Sequence, residues 1–282
     1  MTVAGTAAGA GECWVPSEVA QRTVTAVALA VPAAAAVILG PPYLPIFVGA
    51  IVVVMAWEWV RVTGAAVFGV TGVTLAALLV AAVAAAAFGR FYWAYAIVAA
   101  AVPIVLAVAR LHARGYALPI AAGAVYIGVP ALALLWLYAR PEIGRALVIW
   151  LIVIVIACDI GAFFVGRTLK GPKLAPRISP GKTWSGAVGG VTAAVAVGIA
   201  LGLALGLAGP LVLAGAALAF AGIAQMGDLL ESGVKRAFGV KDASGILPGH
   251  GGMMDRVDGI VAALVTAALA IWLAGGDPRQ WL

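Results

Sequence analysis

Residues 227–258 read GDLLESGVKRAFGVKDASGILPGHGGMMDRVD, a polar segment in an otherwise apolar chain. The segment holds five of the eleven acidic residues, four of the seventeen basic residues and one of the two histidines. Long apolar runs lie on both sides of it. Because ionisable groups are costly next to hydrocarbon, such a cluster indicates a functional site.

The rest of the chain has the composition of a membrane protein. Of its 282 residues, 65% are hydrophobic and 10% are charged, whereas soluble proteins average about 25% charged residues. The mean hydropathy is +1.14. We attribute the net charge of +6 to cytoplasmic loops near anionic lipids and substrates, and we predict no nucleic-acid partner.

We predict an all-α, polytopic membrane protein with nine transmembrane helices in one domain, residues 1–282. A span needs about 20 apolar residues. The predicted spans are 20–40, 43–61, 65–88, 92–109, 117–138, 146–166, 184–207, 210–227 and 258–274. Residues 1–145 hold the N-terminal spans, and residues 146–282 form a catalytic half with cytoplasmic loops at 167–183 and 228–257.

The distribution of basic residues predicts the orientation in the membrane. With nine spans, thirteen Lys and Arg residues fall on the side of the N-terminus and of the loops after even-numbered spans, and four fall on the other side. We therefore predict a multi-pass plasma-membrane protein. Its N-terminus and both polar loops lie in the cytoplasm, and its C-terminus lies outside.

Two predicted spans carry acidic side chains near one end. For Glu58, which lies between Trp57 and Trp59, we favour an interfacial aromatic belt with the carboxylate reaching headgroup water. The alternative is that Glu58 points into the bundle towards the polar site. Asp159 is the only acid in the sixth predicted span, and an acid inside the membrane indicates function more often than not.

The first polar loop carries five basic residues between residues 167 and 182. On that count alone, charge that merely fixes the topology is a sufficient explanation. Ser179, Lys182 and Thr183 favour an anion site, because we expect a flexible turn that presents a Lys and two hydroxyls immediately before a helix.

The second polar loop contains two groups of acids. Asp228 and Glu231 share one helical face with Lys235, a pattern also found in ordinary interfacial helices. Asp255 and Asp258 open the ninth span on one face, where a helix N-terminus keeps carboxylates ionised. A glycine-rich turn just before them argues against an ordinary interfacial helix.

Carboxylates from two helix ends suit a hard cation such as Mg²⁺. The neighbouring Lys and Arg side chains suit phosphate. In a membrane protein this combination favours phosphoryl or nucleotidyl transfer to a lipid. An ion-coupled transporter is the alternative outside enzymes, although its acids would be expected near the bilayer midplane.

The spacing of the polar residues resembles the signature of phosphatidate cytidylyltransferases, also called CDP-diacylglycerol synthases. The matching positions are Ser232, Lys235, Arg236, Lys241, Asp242, Pro248, His250, Gly251, Gly252, Asp255, Arg256 and Asp258. The upstream segments DIGAFFVGR (159–167), KLAPRISPGKTW (173–184) and GDLLES (227–232) also resemble that family. The resemblance covers the chain from Asp159 onwards, whereas the N-terminal half matches only in hydropathy and in the WEW stretch.

This resemblance implies that CTP and phosphatidate react to give CDP-diacylglycerol and pyrophosphate. It also implies Mg²⁺, K⁺ as a second ion in some members, and a homodimer. The implied catalytic residues are Asp228, Asp255, Lys235, Arg236 and His250, with Asp228 and Asp255 binding the metal. The implied substrate-binding residues are Lys182, Ser179, Thr183, Ser232, Lys241, Arg256, Gly251 and Gly252. Asp159, Asp242, Asp258 and Glu231 would orient these groups.

Two positions depart from the family pattern. Ile160 stands where members often carry Ser or Thr, which weighs against a direct ligand role for the neighbouring Asp159. Ser185 stands where many members have Glu or Gln. The nearest alternative enzyme is a CTP-dependent lipid kinase. A CDP-alcohol phosphatidyltransferase is disfavoured because its D-x2-D-G-x2-A-R pattern is absent from the sequence.

Overall fold

The computed structural model describes residues 16–64, 67–247 and 251–275. Within these ranges the chain forms nine α-helices, one short 3-10 helix and two short strands. The helices are α1 (Pro16–Leu39), α2 (Tyr43–Val62), α3 (Gly69–Ala87), α4 (Phe91–His112), α5 (Ala117–Tyr138), α6 (Gly144–Leu169), α7 (Trp184–Ala204), α8 (Pro210–Ala237) and α9 (Met254–Leu273). The 3-10 helix is Arg114–Tyr116, and the strands are β1 (Lys173–Ala175) and β2 (Ser179–Thr183).

The predicted all-α, polytopic architecture is confirmed. Eight of the described helices, α2 to α9, are long and apolar enough to cross a membrane. In α1, residues Val24–Leu39 form a shorter apolar stretch. The fifth predicted span, 117–138, has the bounds of α5, which is the most enclosed of the eight.

The two helices of the second polar segment are longer than predicted. We expected the eighth span to end at residue 227, but α8 continues to Ala237 and carries the polar residues that follow Asp228. Two residues after the end of α8 lies Gly239, whose positive φ of 72° a glycine adopts without strain. The ninth helix begins at Met254 instead of residue 258.

The first polar loop contains a β-hairpin. Strand β1 pairs antiparallel with β2, so that Lys173 lies opposite Thr183 and Ala175 lies opposite Ser179. The prediction of a flexible turn at 179–183 is therefore wrong, because backbone pairing fixes this segment. The predicted helix start directly after it is confirmed, and Thr183 caps α7 by accepting a hydrogen bond from the Gly186 amide at 3.1 Å.

Small residues bring α6 and α7 into close contact. A Cβ atom on Gly190 would lie 2.6 Å from the Cys158 carbonyl oxygen, and one on Gly186 would lie 2.8 Å from the Ala162 carbonyl oxygen. Since apolar burial drives little association between helices in lipid, such close backbone packing is a principal source of stability there. This contact fixes where the hairpin after α6 lies.

Glycines also bring α8 close to α9. A Cβ atom on Gly227 would lie 2.5 Å from the Ala262 Cβ and 3.1 Å from the Asp258 carbonyl oxygen. A Cβ atom on Gly259 would lie 3.3 Å from the Ala224 carbonyl oxygen. The acidic residues of the two helices therefore face each other over a short distance. Helix α9 also packs against α5 of the N-terminal half.

We expect Gly190→Ala to lower the midpoint of thermal unfolding in detergent. The added methyl group would overlap a backbone carbonyl of α6, and overpacking of this kind costs about 1–3 kcal/mol. The control is Gly222→Ala in α8, because a Cβ atom there meets nothing within 4 Å. That change should be neutral or stabilising, since Ala is the better helix former. A Gly190→Ala protein that melts at or above the wild-type midpoint would contradict the packing described.

Candidate active site

Two lysine–carboxylate pairs lie at one end of the bundle, and the first of them links the two polar segments. Lys182 of the hairpin pairs with Asp228 of α8, and Lys235 of α8 pairs with Asp255 of α9. The first pair is open to solvent, with side chains 26% and 28% exposed, and the second is enclosed at 10% and 8%. The two predicted polar loops therefore meet in one site.

Asp255 lies in the first turn of α9, and both of its carboxylate oxygens have partners. Its Oδ1 atom contacts the Lys235 ammonium group. Its Oδ2 atom accepts hydrogen bonds from the Gly252 amide at 2.7 Å and the Ala243 amide at 3.0 Å. Asp255 therefore fixes the loop before α9 as well as neutralising Lys235.

A buried chain of polar contacts continues from Lys235 into the N-terminal half. The Lys235 Nζ atom lies 3.2 Å from Glu231 Oε1, one turn away on the same helix. The Tyr126 hydroxyl of α5 donates to Glu231 Oε2 at 3.2 Å, and its ring stacks on Trp59 of α2 with 4.7 Å between centroids. Glu231 is only 2% exposed, so these partners are what stabilise its charge in the bundle.

Asp258 faces other acids. Its electrostatic neighbours include Asp228, Glu231 and Asp159. Its Oδ1 atom accepts a hydrogen bond from the Gly259 amide at 2.7 Å. Asp159 interacts electrostatically with Asp228 and also with Lys182 and Arg256. Acidic side chains from α6, α8 and α9 thus gather beside the Lys182–Asp228 pair.

The donor chemistry of this acidic cluster fits a hard divalent cation. Across residues 16–64, 67–247 and 251–275, no three His, Cys, Asp or Glu side chains converge as a complete metal cage. Mg²⁺ is usually held by one or two carboxylates together with substrate phosphates, so it does not require such a cage. The Asp228 side chain is more exposed than that of Asp255, at 28% against 8%. Asp258 accepts a described hydrogen bond at Oδ1 alone, whereas both oxygens of Asp255 have protein partners.

The remaining predicted basic residues lie around the rim. Arg236 is exposed, and its Nε atom lies 3.4 Å from the Ile178 carbonyl oxygen of the hairpin turn. Lys241 and Arg256 are exposed, as is Asp242. These cations surround the lysine–carboxylate pairs with positive charge, an arrangement suited to binding several phosphate groups.

The predicted hydroxyl and glycine residues have differing surroundings. The Ser232 hydroxyl lies 3.4 Å from Asp228 Oδ1, a long contact, and Ser179 is half-buried in β2. The Thr183 hydroxyl serves as the helix cap and contacts the Ser185 hydroxyl at 3.1 Å. Gly251 has a φ of +79°. His250, with Pro248 and Gly249, lies outside the described residues.

Glu58 belongs to this site, contrary to the interpretation that we favoured. It is fully buried, and it accepts hydrogen bonds from the Met253 and Met254 amides, each at 2.8 Å. The Ser244 hydroxyl also donates to it. The alternative, a carboxylate that points into the bundle towards the site, is therefore confirmed. The signal in the sequence was an acid inside a span, which is costly unless it has partners.

We expect Lys235→Met to lower the midpoint of thermal unfolding strongly. It would leave the Glu231 and Asp255 carboxylates without their cation, and removing one partner of a buried ion pair costs about 3–5 kcal/mol. The double variant Glu231→Gln/Lys235→Met should recover part of the loss. The matched control is Arg236→Met, which removes an exposed charge at the next position. Equal melting of Lys235→Met and Arg236→Met would contradict a buried pair.

Comparison with known proteins identifies the family. Residues 20–274 match the model of the cytidylyltransferase family. A phosphatidate cytidylyltransferase of Pseudomonas aeruginosa is 39% identical over 266 residues, which cover 90% of this chain and 97% of the relative. A phosphatidate cytidylyltransferase of Brucella suis is 46% identical over 143 residues, and the match spans about half of each chain, 51% here and 53% of the relative. By this match over most of its length, the chain belongs to the cytidylyltransferase family.

Proposed function

We propose that this chain is a phosphatidate cytidylyltransferase, which makes CDP-diacylglycerol and pyrophosphate from CTP and phosphatidate for phospholipid synthesis. The observation that carries the proposal is the Lys182–Asp228 pair, which joins the two polar segments next to the enclosed Lys235–Asp255 pair of the second segment. Similarity to the phosphatidate cytidylyltransferase of Pseudomonas aeruginosa, over 90% of this chain, supports the proposal. The apolar helices around the site suit a lipid substrate.

The reaction joins a phosphate oxygen of phosphatidate to the α-phosphorus of CTP and breaks the bond from that phosphorus to the bridging oxygen of the pyrophosphate. The attacking phosphate is already an anion, so it needs no strong general base. The main barrier is the approach of two anions, which positioned cations lower. In this chain Lys182, Lys235, Arg236 and Lys241 would supply that charge. His250 would either donate a hydrogen bond to phosphate or hold the glycine-rich turn.

We further propose that Mg²⁺ binds with Asp228 as one ligand. Asp255 is the second ligand expected from the family resemblance, and Asp258 has fewer hydrogen-bond partners than Asp255 in the described geometry. When bound, a divalent cation neutralises charge on the α-phosphate and on the departing pyrophosphate. Asp159, Asp242 and Glu231 would orient the ligands and the lysines, as outer hydrogen-bonding partners do in other metal sites.

The proposed site opens to the cytoplasm. The hairpin after α6 pairs with α8 through Lys182 and Asp228. Asp255 of α9 pairs with Lys235 of α8 and accepts a hydrogen bond from Ala243 in the loop after α8, so the hairpin and this loop lie at one end of the bundle. Thirteen of the seventeen basic residues belong to that side in a nine-span arrangement, which favours a cytoplasmic location in the plasma membrane. The diacylglycerol tails would stay in the lipid while the headgroup enters from the cytoplasmic leaflet. The family resemblance also leads us to propose a homodimer.

We expect the purified protein to transfer label from α-³²P-CTP into lipid when phosphatidate and Mg²⁺ are present. The assay should be run with and without K⁺ to test a second ion, and with EDTA to remove divalent cations. Label in CDP-diacylglycerol supports the proposal. Label released as CDP would instead indicate a lipid kinase, and an absence of turnover would favour a transporter.

We expect Asp255→Asn to leave less than about a tenth of the turnover, because a lost carboxylate ligand removes several kcal/mol of charge stabilisation. A ligand role also predicts that the remaining activity requires more Mg²⁺. The control is Glu142→Gln, in the loop between α5 and α6. Retention of more than about a tenth of the activity would refute the metal-ligand role of Asp255.

A further inference from the structure

Glu58 lies on α2, far in sequence from the residues proposed for catalysis, yet it contacts the start of α9. Its two carboxylate oxygens accept hydrogen bonds from the Met253 and Met254 amides, which lie 195 and 196 positions away in the chain. The Ser244 hydroxyl donates to the same oxygen as Met253. The side chain is 0% exposed, so these donors offset the free-energy cost of removing the carboxylate from water.

Helix α9 depends on Glu58 because its own N-cap residue provides no cap. That residue is Met253, which makes no side-chain hydrogen bond to the helix. The first amides of a helix have no partner within the helix and must find one elsewhere. A carboxylate at this end also interacts favourably with the helix dipole. Glu58 thus supplies from α2 the group that Ser, Thr, Asp or Asn usually supplies at the N-cap.

Glu58 and Asp255 hold neighbouring residues of the same two backbone segments. Asp255 Oδ2 accepts from Ala243 and Gly252, and Glu58 Oε1 accepts from the next residue of each segment, Ser244 and Met253. There is little free space between them, since a Cβ atom on Gly252 would lie 2.6 Å from Glu58 Oε1. A displacement of Glu58 would therefore shift the backbone that orients Asp255.

We propose that Glu58 is a positioning residue, which fixes the first turn of α9 so that the Asp255 carboxylate meets the Lys235 ammonium group. This inference rests on the proposed function, because its effect is measured as cytidylyl transfer. It gives the N-terminal half of the chain a direct part in building the site. Glu58 acts through the Ser244 hydroxyl and the Met253 and Met254 amides, and this role requires no contact with either substrate.

The kinetic test compares Glu58→Gln and Glu58→Ala with the wild-type chain in detergent. Because a small misplacement of a catalytic group can lower rates by about 100-fold, kcat should fall by about 10- to 100-fold for Glu58→Ala. Glu58→Gln keeps one acceptor oxygen and should lie in between. The KM values for CTP and phosphatidate should change less than kcat, since Lys182 and Arg236, which are proposed to bind phosphate, lie on other segments. The matched control is Arg61→Gln, one turn along α2. The exposed guanidinium of Arg61 lies over the Trp57 ring. The Arg61→Gln variant should keep the wild-type kcat.

Hydrogen exchange separates positioning from general loss of stability. In Glu58→Ala and Glu58→Gln the Met253 and Met254 amides should exchange faster, while amides in the middle of α9 stay protected. Wild-type protection at these two amides, or wild-type kcat in Glu58→Ala, would overturn the inference. If the wild-type chain transfers no cytidylyl group, the proposed function fails. The exchange measurement then still decides whether Glu58 holds the start of α9.

Discussion

The ammonium group of Lys235 is the charge on which the polar interior depends. It lies between the carboxylates of Glu231 on its own helix and Asp255 on the next, and all three side chains are largely enclosed. In an apolar bundle, each of these charges would be costly without the others. Their mutual contacts join α8 to α9 at the membrane face where substrates are proposed to bind. The contacts that build the proposed site therefore also hold α8 against α9.

Close helix packing makes this arrangement possible. Gly227 and Gly259 let α8 and α9 approach closely, so that acids from the two helices face each other. Gly186 and Gly190 do the same for α6 and α7, which fixes the hairpin that carries Lys182. The proposed phosphate-binding cations thus lie on segments that are held by backbone contacts, and catalysis by positioned charge requires such rigidity.

The N-terminal half contributes more than membrane spans. Glu58 of α2 holds the start of α9, and Tyr126 of α5 donates to Glu231 of α8. Both are polar groups within apolar helices, and both find their partners among the residues of the proposed site. The sequence resemblance was strongest from Asp159 onwards, so the contribution of the first half was not visible in it. These contacts show that α2 and α5 of the N-terminal half help to hold the residues of the proposed site.

The sequence alone determined that eight of the predicted spans, α2 to α9, form apolar helices, since hydropathy over about 20 residues is a local property. It predicted α5 at its observed bounds. It also indicated Asp228, Lys235 and Asp255 as candidate site residues, because ionisable side chains are conspicuous in an apolar chain. It did not predict the β-hairpin at Lys173–Thr183, whose short strands are stabilised by pairing with each other. The partners of Glu58 were decided by the tertiary structure alone. Hydrogen bonds between residues 195 positions apart follow from how the helices pack, which no local pattern of residues encodes.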